Sequence, residues 1–248
     1  TKSISIISKD GFSLGKYLPA LSVLAGKLFI QPDGLEDTAL AEFFALMNIE
    51  YQVVITQTGV QSNKINQSNQ NYKENLNHTG FAKWVLATSG TTGIPKLVEY
   101  DFTQLTEKTC RNVDGIQKIN WGLAYELDRF AGLQVYFQAM IAGQTLVIPP
   151  SIIKKNDLID FYSRNHVNAL SATPSYWISL LMCPNIKQLD LKRITLGGEI
   201  AKQAVLNQLR KIFVNAKIVH IYASTEVGVG FSVKDGLAGF PVEYIFAN

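Results

Sequence analysis

Apolar residues recur along this chain with two alternating periods, one helical and one strand-like. Leu14, Tyr17, Leu18, Leu21 and Leu24 fall at helical spacing, and Gly26 ends that helix. Lys27-Leu28-Phe29-Ile30 reads as a short strand closed by Pro32-Asp33-Gly34. A helix over 36–47 carries Leu40, Phe43, Phe44 and Met47, and 51–55 is a strand. Residues 61–79 are polar, rich in Asn, Gln and Ser, and read as a linker or mobile surface loop.

From Phe81 onward strand and helix signals alternate. Trp84-Val85-Leu86-Ala87 is continuously apolar, as a strand buried on both faces requires. The spacing then predicts helices over 101–111, 131–141, 156–165 and 201–214, with strands at 145–148, 167–170, 193–196 and 217–222. The last helix places Val205, Leu206, Leu209, Ile212 and Phe213 on one face. Strands alternating with helices of this length imply βαβ units, an α/β class and a largely parallel sheet. Ligands of such sheets bind beyond the carboxyl ends of the strands.

Composition narrows the function classes. Hydrophobic residues are 47% and charged residues 17%, enough apolar surface for a sizeable core. The 23 basic and 20 acidic side chains are interspersed, so no basic run reads as a nucleic-acid patch. Cys110 and Cys183 lie far apart without metal-spaced neighbours and read as inert core thiols. No apolar run reaches the ~18 residues of a membrane span. No signal segment opens the chain, so a soluble cytoplasmic protein is expected. The first residue is Thr1 rather than Met, as expected of a processed or excised piece.

The candidate chemistry lies in Thr88-Ser89-Gly90-Thr91-Thr92-Gly93-Ile94-Pro95-Lys96. Glycines let main-chain N–H groups converge on an anion, hydroxyls add short donors, and Lys96 supplies a point charge. The loop leaves a buried strand, so the pattern points to polyphosphate binding. An ordinary Ser/Thr/Gly surface turn is the plainer alternative. The string is not a Walker A loop, because Lys96 comes three residues after Gly93 and precedes Leu97.

The string Ser89 to Lys96 resembles the phosphate loop of the acyl-adenylate-forming superfamily: acyl-CoA synthetases, adenylation domains of nonribosomal peptide synthetases and firefly luciferase. Further stretches match in the family's order. Arg129-Phe130-Ala131-Gly132-Leu133, with Ala142-Gly143-Gln144-Thr145-Leu146-Val147, resembles the segment lining the acyl pocket. Ser171-Ala172-Thr173-Pro174 resembles the next. Leu196-Gly197-Gly198-Glu199 and His220-Ile221-Tyr222-Ala223-Ser224-Thr225-Glu226 resemble the nucleotide-site pair. Leu97, Asp101-Phe102, Arg129 and Ala223 depart from the usual pattern.

The resemblance implies the parallel-sheet layered core of the family's N-terminal domain. On it, 1–59 is a partial first sheet subdomain, 60–80 a polar linker loop and 81–248 the nucleotide-binding subdomain. It implies ATP-dependent activation of a carboxylic acid to an acyl-AMP, with Mg²⁺, and coenzyme A or a carrier thiol as acceptor. Thr88, Ser89, Gly90, Thr91, Thr92, Gly93 and Lys96 would hold the departing pyrophosphate, and Thr225 the α-phosphate. Gly198 and Glu199 form the turn against adenine and ribose. His220 meets the adenine amino group or is a satisfied strand histidine. Tyr222 stacks on adenine or is a core tyrosine. Glu226 is the magnesium ligand or a solvated glutamate; such a metal takes one or two protein carboxylates. Arg129 meets a substrate carboxylate or caps a surface. Gly197, Ala223 and Gly228 complete the acyl pocket. The pocket segment resembles that of enzymes activating aryl or succinylbenzoate-type acids. His78 and His166 receive no role.

The family's lysine near the α-phosphate lies in a small C-terminal domain and its ribose-binding aspartate in a Thr-Gly-Asp stretch. Neither occurs in these 248 residues. The expectation is an incomplete N-terminal portion, weakly active alone, to be completed by a further domain or partner. The alternative is a degenerate domain that binds a nucleotide or acyl ligand without catalysis.

Overall fold

The computed structural model describes residues 2–65, 80–88, 96–109, 118–224 and 228–242. They form two compact units, 1–107 with 126–134, and 108–125 with 135–248.

The first unit is built on one six-stranded sheet. Its elements are β1 (Lys2–Ser8), α1 (Gly11–Leu24), β2 (Ala25–Ile30), α2 (Asp37–Met47), β3 (Tyr51–Thr56), β4 (Gly59–Lys64), β5 (Lys83–Thr88), β6 (Lys96–Tyr100) and α3 (Phe102–Thr106). The strand order is β4-β3-β1-β2-β5-β6. The interior pairs are parallel, and the two outer pairs, β3 with β4 and β5 with β6, are antiparallel. Asp10 starts α1 by accepting from the backbone N–H of Phe12 and Ser13, satisfying donors that the first turn leaves unpaired. Asn48, at φ 50°, ends α2 in the left-handed conformation an Asx side chain tolerates. Phe29, Phe43, Met47, Ile49, Val85 and Ala87 form a core cluster between α2 and the sheet.

The second unit contains β7 (Asn120–Leu123), β8 (Thr145–Val147), α5 (Lys155–Arg164), β9 (Ala169–Ala172), α6 (Pro174–Leu181), a 3-10 turn (Ile186–Gln188), β10 (Arg193–Leu196), α7 (Gln203–Ile212), β11 (Lys217–Ser224) and β12 (Gly228–Val233). Helix α4 (Phe130–Ile141) has residues in each unit. The sheet order is β12-β11-β10-β9-β7-β8, antiparallel only where β12 meets β11. Leu158, Ile159 and Tyr162 of α5, Trp177 and Leu180 of α6 and Val205, Leu206 and Leu209 of α7 bury one face of it. Trp177 Nε1 donates to the Thr195 carbonyl at 3.1 Å and the Tyr162 hydroxyl to the Leu123 carbonyl at 2.6 Å, so each buried polar tip has an acceptor.

The α/β class holds, but as two mixed sheets rather than one largely parallel one. The expected linker over 60–80 does not divide the units: β4 pairs with β3 and occupies its start, and β5 and β6 extend the first sheet. Residues 66–79, including His78, lie outside the described residues, as does Cys110. The strand expected at 167–170 runs two residues later, and Leu24 is 71% exposed, because α1 buries Leu14, Leu18 and Ser22 instead. Cys183 is buried and free, as an inert core thiol should be. His166 sits at φ 54° in the turn after α5. No helix among the described residues is long and apolar enough to cross a membrane.

Candidate functional site

Four neighbouring strands of the second sheet, β7, β9, β10 and β11, run in one direction, and their last residues lie abreast. Leu123 pairs with Ser171, Ser171 with Thr195, and Leu196 with His220. The chain therefore leaves the sheet side by side at Ala124-Tyr125, at Thr173, at Gly197-Gly198-Glu199 and after Tyr222. Three of the segments singled out in the sequence thus converge on one edge. It is the edge at which parallel sheets take ligands, because adjacent exits leave backbone groups and a crevice between them.

Side chains alternate across a strand. His220 and Tyr222 project to the same face as Ile218, a member of the helix-covered core. Ser171, Thr195 and Ile221 belong to the opposite face.

On the first face His220 is buried at 3% exposure. Its Nε2 lies 3.5 Å from the Glu199 carbonyl, and its Nδ1 is buried with no hydrogen-bond partner among the described residues. Burial lowers its pKa below the usual histidine value, so the ring is neutral at pH 7. The Tyr222 ring contacts His220 at 4.4 Å, stacks on its cross-strand neighbour Phe231 at 4.7 Å and meets Phe240 edge-on at 5.0 Å. Its hydroxyl donates to the Gly239 carbonyl at 2.6 Å. The ring is thus a fixed member of an aromatic cluster, a platform whose orientation is set before any planar ligand arrives.

Glu199 does something the sequence did not suggest. Its carboxylate accepts from the Ser175 backbone N–H at 2.9 Å and from the Ser175 hydroxyl at 2.5 Å. It caps α6 together with Thr173, whose hydroxyl accepts from the Tyr176 N–H at 3.2 Å. The Ser175 bonds hold the carboxyl below its usual range, and its negative charge faces the positive end of α6. Gly198, at φ 78°, makes the sharp turn between the β10 exit and this cap. Gly228, at φ 75°, opens β12 opposite Ser224. A left-handed backbone is reason enough for that glycine, whether or not a ligand approaches. Ala223 pairs with Val229 beside a register shift in β11.

In the first unit, Thr88 ends β5 and Lys96 begins β6, and the two are direct cross-strand partners. The expected phosphate loop is therefore the connection of an antiparallel hairpin leaving a strand whose last five residues are buried. The Thr88 hydroxyl is buried without a partner among the described residues, and Lys96 is exposed. Ser89, Gly90, Thr91, Thr92 and Gly93 lie outside the described residues, as do Thr225 and Glu226. Arg129 also belongs to the first unit. Its Nε is 3.6 Å from the Asp128 carboxylate and 3.8 Å from that of Glu126. Burial raises the Asp128 carboxyl to about 6. Among the described residues no three His, Cys, Asp or Glu side chains group as a metal site.

Tyr125, which the sequence did not single out, lies two residues past β7 at the same sheet edge and is half-buried. A Cβ placed on Gly197 would stand 4.0 Å from its hydroxyl. Its only advance signal was position, an aromatic just beyond the end of a short apolar run.

A family model described as AMP-binding enzyme matches residues 40–243. Surfactin synthase subunit 1 of Bacillus subtilis is 30% identical over 161 residues, 60% of this chain and 4% of that protein. The 2-succinylbenzoate–CoA ligase of B. subtilis is 28% identical over 130 residues, 51% of this chain and 26% of the ligase. The chain thus spans a small part of the length of these relatives. Among solved structures, o-succinylbenzoate CoA synthetase from B. subtilis in complex with the acyl-adenylate intermediate superposes with TM-score 0.71 at 18% identity, covering 94% of this chain and 64% of that one. The N-terminal domain of FACL13 from Mycobacterium tuberculosis gives TM-score 0.74 at 14% identity, covering 95% and 67%. At these identities the structures speak to the fold alone.

Proposed function

The chain belongs to the AMP-binding enzyme family, and from that premise we propose that it takes part in ATP-dependent activation of a carboxylic acid to an acyl-AMP. The observation that carries the reading is the convergence of the strand exits at Thr173, Gly197 and Tyr222 on one sheet edge. A buried histidine and a pre-set aromatic platform stand there.

In the proposed reaction a carboxylate oxygen attacks the α-phosphorus of ATP, the bond to the bridging oxygen breaks, and pyrophosphate leaves. A carboxylate is a poor nucleophile against a polyanion, so the protein's work is positioning and charge neutralisation. His220 and Tyr222 locate the base, with the Gly198 turn bringing main chain close to it. Thr88, Ser89, Gly90, Thr91, Thr92, Gly93 and Lys96 would hold the departing pyrophosphate and Thr225 the α-phosphate. Gly197, Ala223 and Gly228 would border the acyl group, and Arg129 is a candidate for meeting a substrate carboxylate. A magnesium ion would arrive with the triphosphate and needs one or two protein oxygens, a demand Glu226 suits by chemistry. The acceptor would be a thiol, coenzyme A or a carrier.

Calorimetry with AMP and with a non-hydrolysable acyl sulfamoyl adenosine tests the reading. Both are expected to bind, the bisubstrate analogue more tightly, and His220→Ala to weaken both. Absence of binding by either compound to folded protein refutes it. Pyrophosphate exchange on the same sample separates an active chain from one that binds without turnover.

A further inference from the structure

The turn that follows β12 is fastened on two sides. Asp235 opens it, its carboxylate accepting from the Leu237 N–H at 2.8 Å. Gly236 at φ 74° and Gly239 at φ 86° bend it through left-handed backbone. On one side stands α7. Arg210 Nη2 donates to the Asp235 carbonyl at 2.8 Å, Gln203 Nε2 donates to the Gly236 carbonyl at 3.0 Å, and Gln203 Oε1 accepts from the Ala238 N–H at 2.8 Å. Gln203 Nε2 also donates to Asn207 Oδ1 at 2.9 Å, one turn along the helix, so the carboxamide is locked in the orientation that grips the turn with both its ends. A Cβ at Gly236 would collide with the Arg210 guanidinium, so this grip needs glycine there. On the other side stands the Tyr222 ring. Its hydroxyl donates to the Gly239 carbonyl at 2.6 Å and it meets Phe240 edge-on at 5.0 Å. Phe240 in turn meets Phe231, the ring stacked on Tyr222, at 5.1 Å.

We propose that Gln203 is a positioning residue for nucleotide binding: it holds the 235–240 turn on α7, and the turn holds the Tyr222 ring. The proposal rests on the reading of Tyr222 as the base platform given above. Strand pairing alone does not set that ring, because the ladder between β11 and β12 shifts register directly after Tyr222. The missing constraint comes from the turn, through the Gly239 carbonyl and the Phe240 ring, and the turn takes its own position from α7. Val205, Leu206 and Leu209 bury that helix against the second sheet, so Gln203 refers the turn to the rigid core. A ring ordered in advance has less rotamer freedom to lose when a planar base arrives, and pre-organisation of that kind strengthens binding without adding a contact to the ligand.

Calorimetry with AMP on the full chain is the test. Gln203→Ala is expected to weaken AMP about fivefold. Tyr222→Phe keeps the ring, removes its bond to Gly239 and is expected to weaken AMP by a similar factor. Both changes release the same turn, so the double variant should fall well short of the roughly twenty-fivefold product of independent effects. Gln203→Glu keeps the side chain's length. At pH 8 its carboxylate has no proton to donate to the Gly236 carbonyl, and AMP should weaken about fivefold; at pH 5 the carboxyl regains its proton against that carbonyl, and affinity should return to within about twofold of the wild type at the same pH. A merely structural role lowers the melting temperature and produces neither the shortfall in the double variant nor the pH-dependent recovery. A Gln203→Ala protein that binds AMP as the wild type does, a double variant that reaches the full product, or a Gln203→Glu protein without recovery overturns the proposal while nucleotide binding stands. Should Gln203→Ala not fold, the Gln203→Glu comparison at the two pH values decides. Failure of the wild type to bind AMP removes the nucleotide-site reading itself and this inference with it.

Discussion

An added methyl at Gly122 would press into the core of the second sheet. A Cβ there would lie 2.9 Å from Leu170 Cδ1, 3.1 Å from Val167 Cγ1 and 3.2 Å from Tyr162 Cε1. None of the three has room to retreat. Leu170 and Tyr162 are fully buried and Val167 is 2% exposed, and the Tyr162 hydroxyl is tied to the Leu123 carbonyl on the same strand as the glycine. Overpacking of this kind costs ~1–3 kcal/mol, while replacing glycine restricts the unfolded chain and returns ~0.4–1 kcal/mol. Gly122→Ala is therefore expected to destabilise by about 1–2 kcal/mol. The assay is urea unfolding followed by the fluorescence of Trp121 and Trp177, both buried in the second unit, in a Trp84→Phe background that silences the first. Leu170→Ala removes the nearest atom, so in the double variant the two costs should fall short of additivity by about 1 kcal/mol. A Gly122→Ala protein as stable as its parent, or strict additivity in the cycle, would refute the reasoning.

Other expectations follow from the same contacts. Tyr162→Phe leaves the Leu123 carbonyl without its donor in a dry core and should cost ~1–3 kcal/mol by the same unfolding measurement, with an unchanged denaturant slope. Glu199→Gln should lower the melting temperature at neutral pH. The wild-type carboxyl is depressed in the fold, so its contribution is complete above the unfolded value and disappears as pH falls through the folded one; the gap between the two proteins should close along that course. Asp128 has the opposite sign. Its carboxyl is raised from 3.8 to about 6, so the native state holds the proton more tightly and this group's contribution to stability falls as pH rises from about 4 to about 6. Asp128→Asn should flatten that part of the stability–pH curve, and an unchanged curve would show that the carboxyl is not desolvated.

The parts of the fold legible in the sequence were those whose burial leaves a strong apolar signature. β5, β10 and α7 lie close to their expected positions because Trp84-Val85-Leu86, Ile194 and the Val205–Leu206–Leu209 stripe must all be hidden. β4 has the composition of a linker because an edge strand with one solvated side can be Gln-Ser-Asn-Lys and still complete the backbone ladder with β3. β12 was hidden by its glycines, and α6 by Pro174, which looks like a breaker until Thr173 is seen as its N-cap. For the candidate site, the motif segments indicated which strand exits matter. They could not indicate that Glu199 spends its carboxylate on α6, because that depends on which strands are neighbours.

The pairing of Thr88 with Lys96 has a consequence for how this protein tolerates change. The lysine's address is set by the ladder between β5 and β6, which holds both ends of the intervening seven-residue connection at a fixed span. Lengthening or recomposing that connection would leave the main chain of the lysine where the ladder holds it. The composition of the connection and the anchorage of its two ends are thus separable, and substitutions can alter the first without disturbing the second.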